Sequence, residues 1–409
     1  MTKSATPHSL IGRFIKKRFS AEVLSQGISI EPIKCFSIDL GRAFAISINR
    51  LKCPAPEVLL ALAAKITLFG SMSLGYRSGC RSGRILMSFL DDASVLITGG
   101  TGSFGRALTK RLINSKARRI AIFSRDELKQ LDMKNEFHDD RLRFFLGDIR
   151  DSSRLDIALH NVDYVVHAAA LKQVDTGEYN PMEFVKTNIV GSQNVIDACI
   201  RNGVKKVVAL STDKASSPIN LYGATKLTAD KLFSAANNYS YGYGTLFSIV
   251  RYGNVMGSRG SVIPYFKQLA AEGKTFPITD KRMTRFWITL DQAVEFVLES
   301  FKIMQGGELY VPRIPSMKIM DLAQAIKKDF KYEEIGIRPG EKLHEEMISP
   351  DDSRRTVELS NRYVVSPIFA EWGFTPPKGK AVKDGFNYRS DTNDLWLTIE
   401  ELQKLITNH

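Results

Sequence analysis

The sequence places a phenol and an ammonium four residues apart, in the stretch Tyr222-Gly-Ala-Thr-Lys226. Residues at this spacing lie on one face of a helix. A tyrosine is a poor base at neutral pH because its pKa is near 10, but a neighbouring lysine cation stabilises the phenolate and lowers that pKa. Such a pair can remove the proton of an alcohol while a nicotinamide ring takes the hydride from the same carbon. Tyr222 and Lys226 are therefore candidate catalytic residues, although the spacing alone is common.

Three further polar residues, Thr212, Asp213 and Lys214, lie shortly before this pair, at the carboxyl end of an apolar run. Ligands of open α/β sheets bind at that end of the strands. A simple alcohol dehydrogenase needs only the hydroxyl of Thr212 there. A carboxylate and an amine beside the hydroxyl suit a second proton transfer, such as a β-elimination. The alternative is that Asp213 and Lys214 form a surface ion pair in a loop.

A glycine-rich stretch, TGGTGSFG from Thr98, follows the first predicted strand at the point where a helix begins. Glycines at Gly99, Gly102 and Gly105 let the backbone turn tightly and approach a pyrophosphate, and the N-terminus of the helix supplies free N–H groups. The alternative is a purely structural turn. The alternating strand and helix pattern that follows favours a dinucleotide site.

The end of the second predicted strand, Phe123-Ser-Arg-Asp126, bears on the choice of cofactor. In NAD-binding versions of this fold an acidic residue at this point accepts a hydrogen bond from the ribose 2′-hydroxyl. Arg125 could instead pair with a 2′-phosphate through two parallel hydrogen bonds, and Lys129 lies one helical turn further on. We therefore predict NADP. The alternative is a solvated Arg125, with Asp126 binding the hydroxyl of NAD.

Two further strand ends complete the predicted cofactor site. Gly147-Asp-Ile149 could place a carboxylate at the adenine edge, and the small residues after His167 allow the cofactor to approach closely. His167 itself is expected to be a packed strand residue, because no Cys or His partner lies at metal spacing. We predict no metal site. The predicted cofactor-binding residues are Gly99, Thr101, Gly102, Ser103, Phe104, Gly105, Ser124, Arg125, Asp126, Glu127, Leu128, Lys129, Asp148, Ile149, Ala168, Tyr222 and Lys226.

The elements that must position these residues are short apolar runs that alternate with amphipathic stretches of helical length. This pattern predicts an α/β fold, a Rossmann-like doubly wound parallel sheet with a smaller C-terminal substrate-binding domain. The predicted domains are a basic leader over 1–86, an NADP-binding domain over 87–255, a partly interleaved substrate domain over 256–365 and a C-terminal tail over 366–409. The predicted strands are Val95–Thr98, Ile120–Ser124, Arg143–Leu146, Tyr164–His167, Val207–Ser211 and Leu246–Arg251.

Charge separates the leader from the rest of the chain. Residues 1–86 carry 13 Lys/Arg and 4 Asp/Glu, whereas the remaining residues carry 44 and 40. The net charge of +13 therefore does not indicate a nucleic-acid partner for the body of the protein. The leader fits a transit peptide, a nucleic-acid or membrane-surface arm, or an unstructured extension ahead of a start at Met87, and we favour the last.

Composition excludes several other classes of protein. The apolar fraction of 44% and the charged fraction of 25% are those of a globular chain and speak against disorder. Three of the four cysteines lie in the leader, which speaks against a disulfide framework. Because no apolar run reaches the length of a membrane span, we predict a cytoplasmic protein without one.

Eight segments between about Asp92 and Val365 together resemble a known family. They are TGGTGSFG from Thr98, SRDELKQ from Ser124, HAAALK from His167, STDKA from Ser211, LYGATK from Leu221, RYGNVMGSRGSV from Arg251, MTRFWIT from Met283 and IGIRPGEKLHE from Ile335. The family is that of the extended short-chain dehydrogenase/reductases, and within it the inverting UDP-N-acetylglucosamine 4,6-dehydratases that begin pseudaminic acid synthesis.

The resemblance implies a redox-neutral reaction on a UDP-sugar. Tyr222 and Lys226 would drive oxidation of the C4 hydroxyl by NADP, Lys214 would act at C5, and Asp213 would protonate the departing C6 hydroxyl. Hydride would return to C6 and a proton to the opposite face of C5, which leaves a 6-deoxy-4-keto sugar of inverted configuration. The implied substrate-binding residues are Lys172, Asn254, Arg259, Thr279, Arg285, Arg338 and Glu341.

The sequence departs from the family in two places. Gln173-Val-Asp175 stands where the family has histidine, valine and proline, which bears on the loop contacts to the sugar. The segment after Phe369 matches the family poorly. The resemblance also implies a homo-oligomer, for which the stretch from Met182 to Asn202 could supply a subunit face.

Two other functions remain open at this point. A nucleotide-sugar 4-epimerase needs Tyr222 and Lys226 but no acid and base at Asp213 and Lys214. A non-catalytic NADP-binding protein would not need Tyr222 either.

Overall fold

The computed structural model describes residues 87–257 and 262–407. The predicted leader and Arg259 lie outside the described residues. The strands are β1 (Ser94–Thr98), β2 (Arg119–Ser124), β3 (Leu142–Leu146), β4 (Tyr164–His167), β5 (Lys206–Thr212), β6 (Leu246–Tyr252), β7 (Asn254–Val255), β8 (Phe276–Ile278), β9 (Thr284–Ile288), β10 (Leu309–Pro312), β11 (Ser316–Lys318), β12 (Tyr332–Glu334), β13 (Glu346–Ile348), β14 (Thr356–Glu358), β15 (Arg362–Val365), β16 (Lys380–Ala381) and β17 (Tyr388–Arg389).

The helices follow the strands in alternation through the first half of the described chain. They are α1 (Ser103–Ile113), α2 (Glu127–Glu136), α3 (Ser152–Leu159), α4 (Val174–Tyr179), α5 (Pro181–Phe184), α6 (Gly191–Arg201), α7 (Leu221–Ser240), α8 (Val262–Ala271), α9 (Leu290–Ile303), α10 (Ile319–Ile326) and α11 (Ile399–Thr407). A π-helical stretch, Val185–Val190, joins α5 to α6. No helix in the described ranges is both long enough and apolar enough to cross a bilayer.

Six parallel strands form one side of the main sheet, in the order β3-β2-β1-β4-β5-β6 with β3 at the edge. All five residues of β1 are buried. Val95 and Ile97 pack into one apolar cluster and Leu96 into another, so the strand is covered on both faces, as parallel strands are. The predicted doubly wound α/β fold is confirmed, and each of the six predicted strands agrees with the structure to within one residue at either end.

The main sheet continues with strands from the second half of the chain. β10 pairs in parallel with β6, and β15, β14 and β16 then add antiparallel strands. The part of the chain expected to form the substrate domain therefore contributes to the same sheet as the glycine-rich turn. Because β10 runs parallel to β6, the loops that follow these two strands leave the sheet at the same end.

Three small sheets and a third apolar cluster are formed by residues that follow β6 in the chain. The small sheets have the orders β11-β9-β7, β12-β8 and β13-β17. The segment after 365, expected only as a C-terminal tail, is folded, since β16 joins the main sheet and β17 pairs with β13. In α11, Leu402 and Ile406 are buried in the third cluster, together with Leu322 of α10.

Candidate active site

The glycine-rich turn between β1 and α1 provides space that only glycine leaves. Gly99 has a φ of +66°, and a Cβ there would lie 2.8 Å from the backbone nitrogen of Ala169. A Cβ on Gly105 would lie 2.3 Å from the carbonyl oxygen of Gly100. Gly102 is the N-cap of α1, and the first N–H groups of a helix have no intrahelical partners. The turn therefore fits a phosphate held against the backbone.

Arg125, Asp126 and Lys129 lie where β2 gives way to α2. Asp126 caps the helix, with one carboxylate oxygen accepting from the backbone N–H of Lys129 at 3.0 Å and the other paired with the Lys129 ammonium. The Arg125 side chain is half exposed, and its guanidinium lies 3.4 Å from the Asp148 carboxylate. Lys129 therefore engages both oxygens of Asp126, whereas the Arg125 guanidinium stays half exposed beside Asp148.

Asp148 follows β3 and contacts two arginines, Arg125 and Arg150. Its carboxylate lies 2.8 Å from the guanidinium of Arg150, which also pairs with Glu183 at 2.7 Å. Burial raises the pKa of Asp148, but hydrogen bonds from Arg150 and the charge of Arg125 outweigh it and hold the pKa below its usual range. Arg150 lines the same cavity as Arg125 and was missed by the sequence prediction, because an arginine after a strand is common on surfaces.

His167 at the end of β4 is a packed core residue, as predicted. It is 1% exposed, with Nδ1 2.8 Å from the Thr98 hydroxyl and Nε2 3.3 Å from the Ser192 hydroxyl. Burial lowers its pKa to about 3, so the ring is neutral. The small residues that follow, beginning with Ala168, line the cavity.

The end of β5 carries a buried acid. The Thr212 hydroxyl accepts from the backbone N–H of Lys214 at 3.4 Å and donates to Asp213 Oδ1 at 3.0 Å. Asp213 is 1% exposed, and its Oδ2 has no hydrogen-bond partner among the described residues. Burial raises the pKa of Asp213, and the nearby Glu345 carboxylate adds to this effect. A carboxyl group in such surroundings is suited to hold a proton and to donate it.

Lys214 lies between two carboxylates. Its ammonium nitrogen is 3.1 Å from Asp213 Oδ1 and 3.0 Å from Glu345 Oε1. Burial lowers the pKa of Lys214, but the two carboxylates outweigh it and raise the pKa above its usual range. The alternative of an exposed loop ion pair does not apply, since Asp213 and Glu345 are each 1% exposed.

Tyr222 lies in the first turn of α7, and two contacts fix the start of this helix. The Asn220 side chain caps it by accepting from the backbone N–H of Gly223 at 2.7 Å. A Cβ on Gly223 would lie 2.2 Å from the carbonyl oxygen of Lys214, so the helix approaches the catalytic turn closely. Burial raises the pKa of Tyr222 to about 12, while the charge of Lys214 and a side-chain hydrogen bond with Thr212 act in the opposite direction.

Lys226 follows Tyr222 by one helical turn but points to the strand. Its ammonium donates to the carbonyl oxygen of Leu210 at 2.8 Å, and burial lowers its pKa. The sequence interpretation named Lys226 as the cation that lowers the pKa of Tyr222. In the structure Lys214 has that effect, because the Lys226 side chain is directed to the β5 backbone.

Glu345 is the main acidic group of this site that the sequence prediction missed. Besides Lys214, it faces Arg285, whose Nε lies 3.7 Å from Glu345 Oε1. The other face of the Arg285 guanidinium lies 3.3 Å from Glu341. Glu345 is the last residue of the IGIRPGEKLHE segment. Its contact with Lys214 joins segments that are far apart in the sequence, so the local residue pattern does not reveal it.

A cavity of about 1400 Å³ joins the glycine-rich turn, the β5 end and the substrate side. Glu127 and Leu128 are predicted to bind the cofactor, but neither residue lines this cavity. Both lie in the first turn of α2, where Asp126 and Lys129 face the cavity and the Leu128 side chain is 73% exposed. Arg259 lies outside the described residues. The predicted residues that do line it are Gly99, Thr101, Gly102, Ser103, Phe104, Gly105, Ser124, Arg125, Asp126, Lys129, Asp148, Ile149, Ala168, Lys172, Thr212, Asp213, Lys214, Tyr222, Lys226, Asn254, Thr279, Arg285, Arg338 and Glu341.

The substrate side of the cavity combines guanidinium groups with buried polar atoms. Asn254 and Trp287 are register partners on β7 and β9, and the Asn254 Oδ1 and Trp287 Nε1 atoms have no hydrogen-bond partner in the described part of the chain. Trp287 was not predicted as a site residue. Within the same described part, no group of three or more His, Cys, Asp or Glu residues could hold a metal ion.

A doubly wound sheet with a glycine-rich turn after its first strand and a Tyr-Lys pair beside its fifth defines an extended short-chain dehydrogenase/reductase, a class that uses nicotinamide dinucleotides. The glycine positions that a Cβ would fill are those where such a dinucleotide needs close backbone approach. The chain belongs to the family described as polysaccharide biosynthesis protein, which matches residues 95–367.

Two relatives and one solved structure place the chain more closely. It is 56% identical over 326 residues to a UDP-N-acetylglucosamine 4,6-dehydratase (inverting) of Campylobacter jejuni, which covers 77% of this chain and 97% of the relative. It is 39% identical to a UDP-glucose 4-epimerase of Rickettsia prowazekii, over 78% of this chain and 99% of the relative. The solved structure of Pen from Bacillus thuringiensis is 42% identical, covers 78% of this chain and 98% of that one, and superposes with a TM-score of 0.73. The family resemblance inferred from the motifs is confirmed.

Proposed function

We propose that the protein catalyses the NADP-dependent dehydration of UDP-N-acetylglucosamine across C5 and C6 after oxidation at C4, with inversion at C5. The observation that carries the proposal is the position of Asp213 and Lys214 in the same cavity as Tyr222 and Lys226. A buried acid and a buried amine beside the oxidising pair supply what an elimination needs. The 56% identity to the inverting dehydratase of Campylobacter jejuni supports the same reaction.

The chain's own residues divide the proton transfers. Tyr222 takes the proton of the C4 hydroxyl, from the first turn of α7 in the same cavity as Thr212 at the end of β5. Asp213, whose pKa is raised by burial, donates its proton to the departing C6 hydroxyl, which leaves as water. When bound, the cofactor accepts the hydride from C4 and returns it to C6.

Lys214 acts at C5, where it takes the proton during the elimination. Its raised pKa means that the ammonium must release its own proton to solvent before it takes the proton at C5. The carboxylates in contact with it are Asp213 and Glu345. A proton from solvent is afterwards added to the opposite face of C5, which gives the inverted configuration of the product, a UDP-linked 2-acetamido-2,6-dideoxy-4-keto-hexose.

The residues that line the cavity near the carboxyl end of β2 favour NADP as the cofactor. Arg125, Lys129 and Arg150 line the cavity there, and Asp126 is engaged by Lys129. Guanidinium groups bind a 2′-phosphate through charge-assisted hydrogen bonds. The glycine-rich turn would hold the pyrophosphate, and Tyr222 and Lys226 would meet the nicotinamide ribose.

The substrate diphosphate is assigned to the guanidinium side of the cavity. Arg285 and Arg338 line this side together with Lys172, and cations of this kind neutralise a diphosphate. Glu341 and Asn254 present oxygen atoms that can accept hydrogen bonds from sugar or ribose hydroxyls. A homo-oligomer stays a prediction from the family resemblance.

A 4-epimerase is the second candidate, because a relative of that name is 39% identical over 78% of the chain. The two reactions share the oxidation at C4 and differ in the loss of water. We expect incubation of the protein with UDP-N-acetylglucosamine and NADP to give a product lighter by one water in mass spectrometry. A product of unchanged mass would identify an epimerase, and bound NADP without turnover would indicate a binding protein.

A further inference from the structure

The Glu345 carboxylate is held against Lys214 by contacts that reach across the chain. Its backbone N–H donates to the Ser390 hydroxyl at 2.9 Å, and its carbonyl accepts from the backbone N–H of Ser390 at 2.8 Å. Ser390 directly follows β17, within the predicted C-terminal tail. This two-point attachment fixes the position of Glu345 relative to β9, where the Ser390 hydroxyl also contacts Thr284.

The surroundings of Glu345 make it an ionised carboxylate. Burial raises its pKa, but the cations Lys214, Arg285 and Lys342 outweigh this and lower it. Glu345 Oε1 lies 3.0 Å from the Lys214 ammonium, and its Oε2 has no hydrogen-bond partner within the described residues. The charge that balances Lys214 is therefore supplied by Glu345 as well as by Asp213.

Other charged groups face this cluster from each neighbouring element. Arg285 of β9 pairs with both Glu345 and Glu341, and the Lys342 ammonium donates to the Ser216 carbonyl at 2.6 Å. The titratable and charged groups around the cluster are Asp213 and Lys214 after β5, Tyr222 of α7, Lys172 after β4, Arg285 of β9, and Glu341, Lys342 and Glu346 around Glu345 itself.

Two carboxylates in contact with the same buried ammonium repel each other, so a proton is more stable on the carboxylate that has fewer cations around it. Asp213 lines the cavity and has Lys214 as its ion-pair partner, whereas Glu345 is additionally balanced by Arg285. The extra proton therefore resides on Asp213. Without Glu345, Asp213 would have to serve as the counter-ion of Lys214 and would lose that proton.

We propose that Glu345 is a positioning residue that serves as the counter-ion of Lys214 and thereby keeps Asp213 protonated, ready to donate to the leaving hydroxyl. This inference rests on the proposed dehydration. It adds to the Asp213–Lys214 contact a second carboxylate in contact with Lys214, supplied by the part of the chain that Ser390 anchors. In the elimination, the Asp213 proton goes to the C6 oxygen and the C5 proton goes to the Lys214 amine, which has released its own proton to solvent beforehand, while Glu345 stays ionised.

The test is the pH dependence of water loss in Glu345→Gln. Glutamine keeps the size of the side chain and removes one negative charge, so the pKa values of both Asp213 and Lys214 fall. Because Asp213 must be protonated and Lys214 must become deprotonated, both limbs of the pH profile move to lower pH, by about one to three pH units. The matched control is Glu346→Gln, whose carboxylate contacts the Ser216 and Ser217 hydroxyls instead of Lys214, and which we expect to keep the wild-type profile.

A lower rate at every pH with an unmoved profile would overturn the inference, because a merely structural loss has that effect. If wild type releases no water, the proposed function itself fails, so the two failures are distinguishable. Infrared difference spectra of wild type provide a second measurement that does not depend on folding of the glutamine variant. They should show a protonated carboxylic acid near neutral pH that is absent in Asp213→Asn, and an ionised Asp213 at that pH would also overturn the inference.

Discussion

The Arg251 guanidinium lies 3.0 Å from the Asp230 carboxylate, and both side chains are buried. Asp230 follows Tyr222 and Lys226 at successive intervals of four residues, on the same face of α7. It also accepts from the Ser211 hydroxyl of β5 at 2.7 Å. The ion pair therefore fixes the rotation of α7 against β5 and β6, and with it the direction in which Tyr222 points.

Replacement of Asp230 by alanine should destabilise the protein strongly. It leaves Arg251 buried without its counter-charge, and breaking a buried pair in this way costs about 3–5 kcal/mol of the free energy of unfolding. Urea unfolding checks this. The control is Asp156→Ala, which removes a more exposed pair with Arg201 and should cost about 1 kcal/mol or less. Equal effects of the two substitutions would show that the buried pair does not hold the helix.

The variant Tyr222→Phe should lose turnover by a factor of about 10²–10⁴, the range for a positioned acid-base group, and should form reduced cofactor more slowly by the same factor. The raised pKa of Tyr222, about 12, also predicts the direction in which the rate changes with pH. Since the base is the phenolate, the rate of C4 oxidation should rise as pH rises toward that value. Stopped-flow absorbance of the reduced cofactor checks both, with the exposed Tyr243→Phe as control. A wild-type signal from Tyr222→Phe would remove this tyrosine from the mechanism.

The variant Lys214→Ala should abolish water loss while NADP stays bound. Lys214 contacts Asp213 and Glu345 at the β5 end, whereas the glycine-rich turn lies after β1. Mass spectrometry of the product and titration of the cofactor measure the two properties separately. Retained dehydration would exclude the lysine from action at C5.

The variant Arg125→Ala should weaken NADP binding by about ten- to a hundredfold, the value of a hydrogen bond to a charged group, and should leave NAD binding nearly unchanged. Affinities of both dinucleotides for wild type and variant check this. Arg118→Ala removes a half-exposed arginine that pairs with Asp163 and should alter neither affinity. An equal loss for NAD and NADP would contradict a role at the 2′-phosphate.

The variant Gly105→Ala should destabilise the nucleotide site, because its Cβ would lie 2.3 Å from the carbonyl oxygen of Gly100. The backbone must shift, at a cost of about 1–3 kcal/mol typical of overpacking, and NADP affinity should fall. Gly242→Ala is the control, since a Cβ there meets no atom within 4 Å. Thermal unfolding and cofactor titration measure the outcome, and wild-type values for Gly105→Ala would show that close approach is not required.

The sequence was most informative where structure depends on neighbours along the chain. Strands β1 to β6 were predicted from apolar runs, and the glycine-rich turn and the Tyr222 helix were predicted from local spacing. Contacts between distant segments were not accessible in this way. Glu345 reaches Lys214 only through its attachment to Ser390, and the direction of Lys226 toward Leu210 depends on how α7 packs on β5.

Surface features were also difficult to assign from the pattern alone. Glu127 and Leu128 belong to a motif that was expected at the cofactor, yet the helical turn carries them away from the cavity while Arg125 and Lys129 face it. Arg150 lines the cavity, but nothing in its neighbouring residues distinguishes it from a solvated arginine. Side-chain direction within a turn therefore needed the structure.

The central claim is that one cavity oxidises C4, removes water across C5 and C6, and returns a proton to C5. The most direct measurement is the reaction of UDP-N-acetylglucosamine with the NADP-bound protein in deuterium oxide, followed by mass spectrometry and NMR of the product. We predict a 4-keto-6-deoxy product with one solvent deuterium at an inverted C5. A product that retains its water, or a dehydrated product with hydrogen at C5 and unchanged configuration, would contradict the proposed cycle.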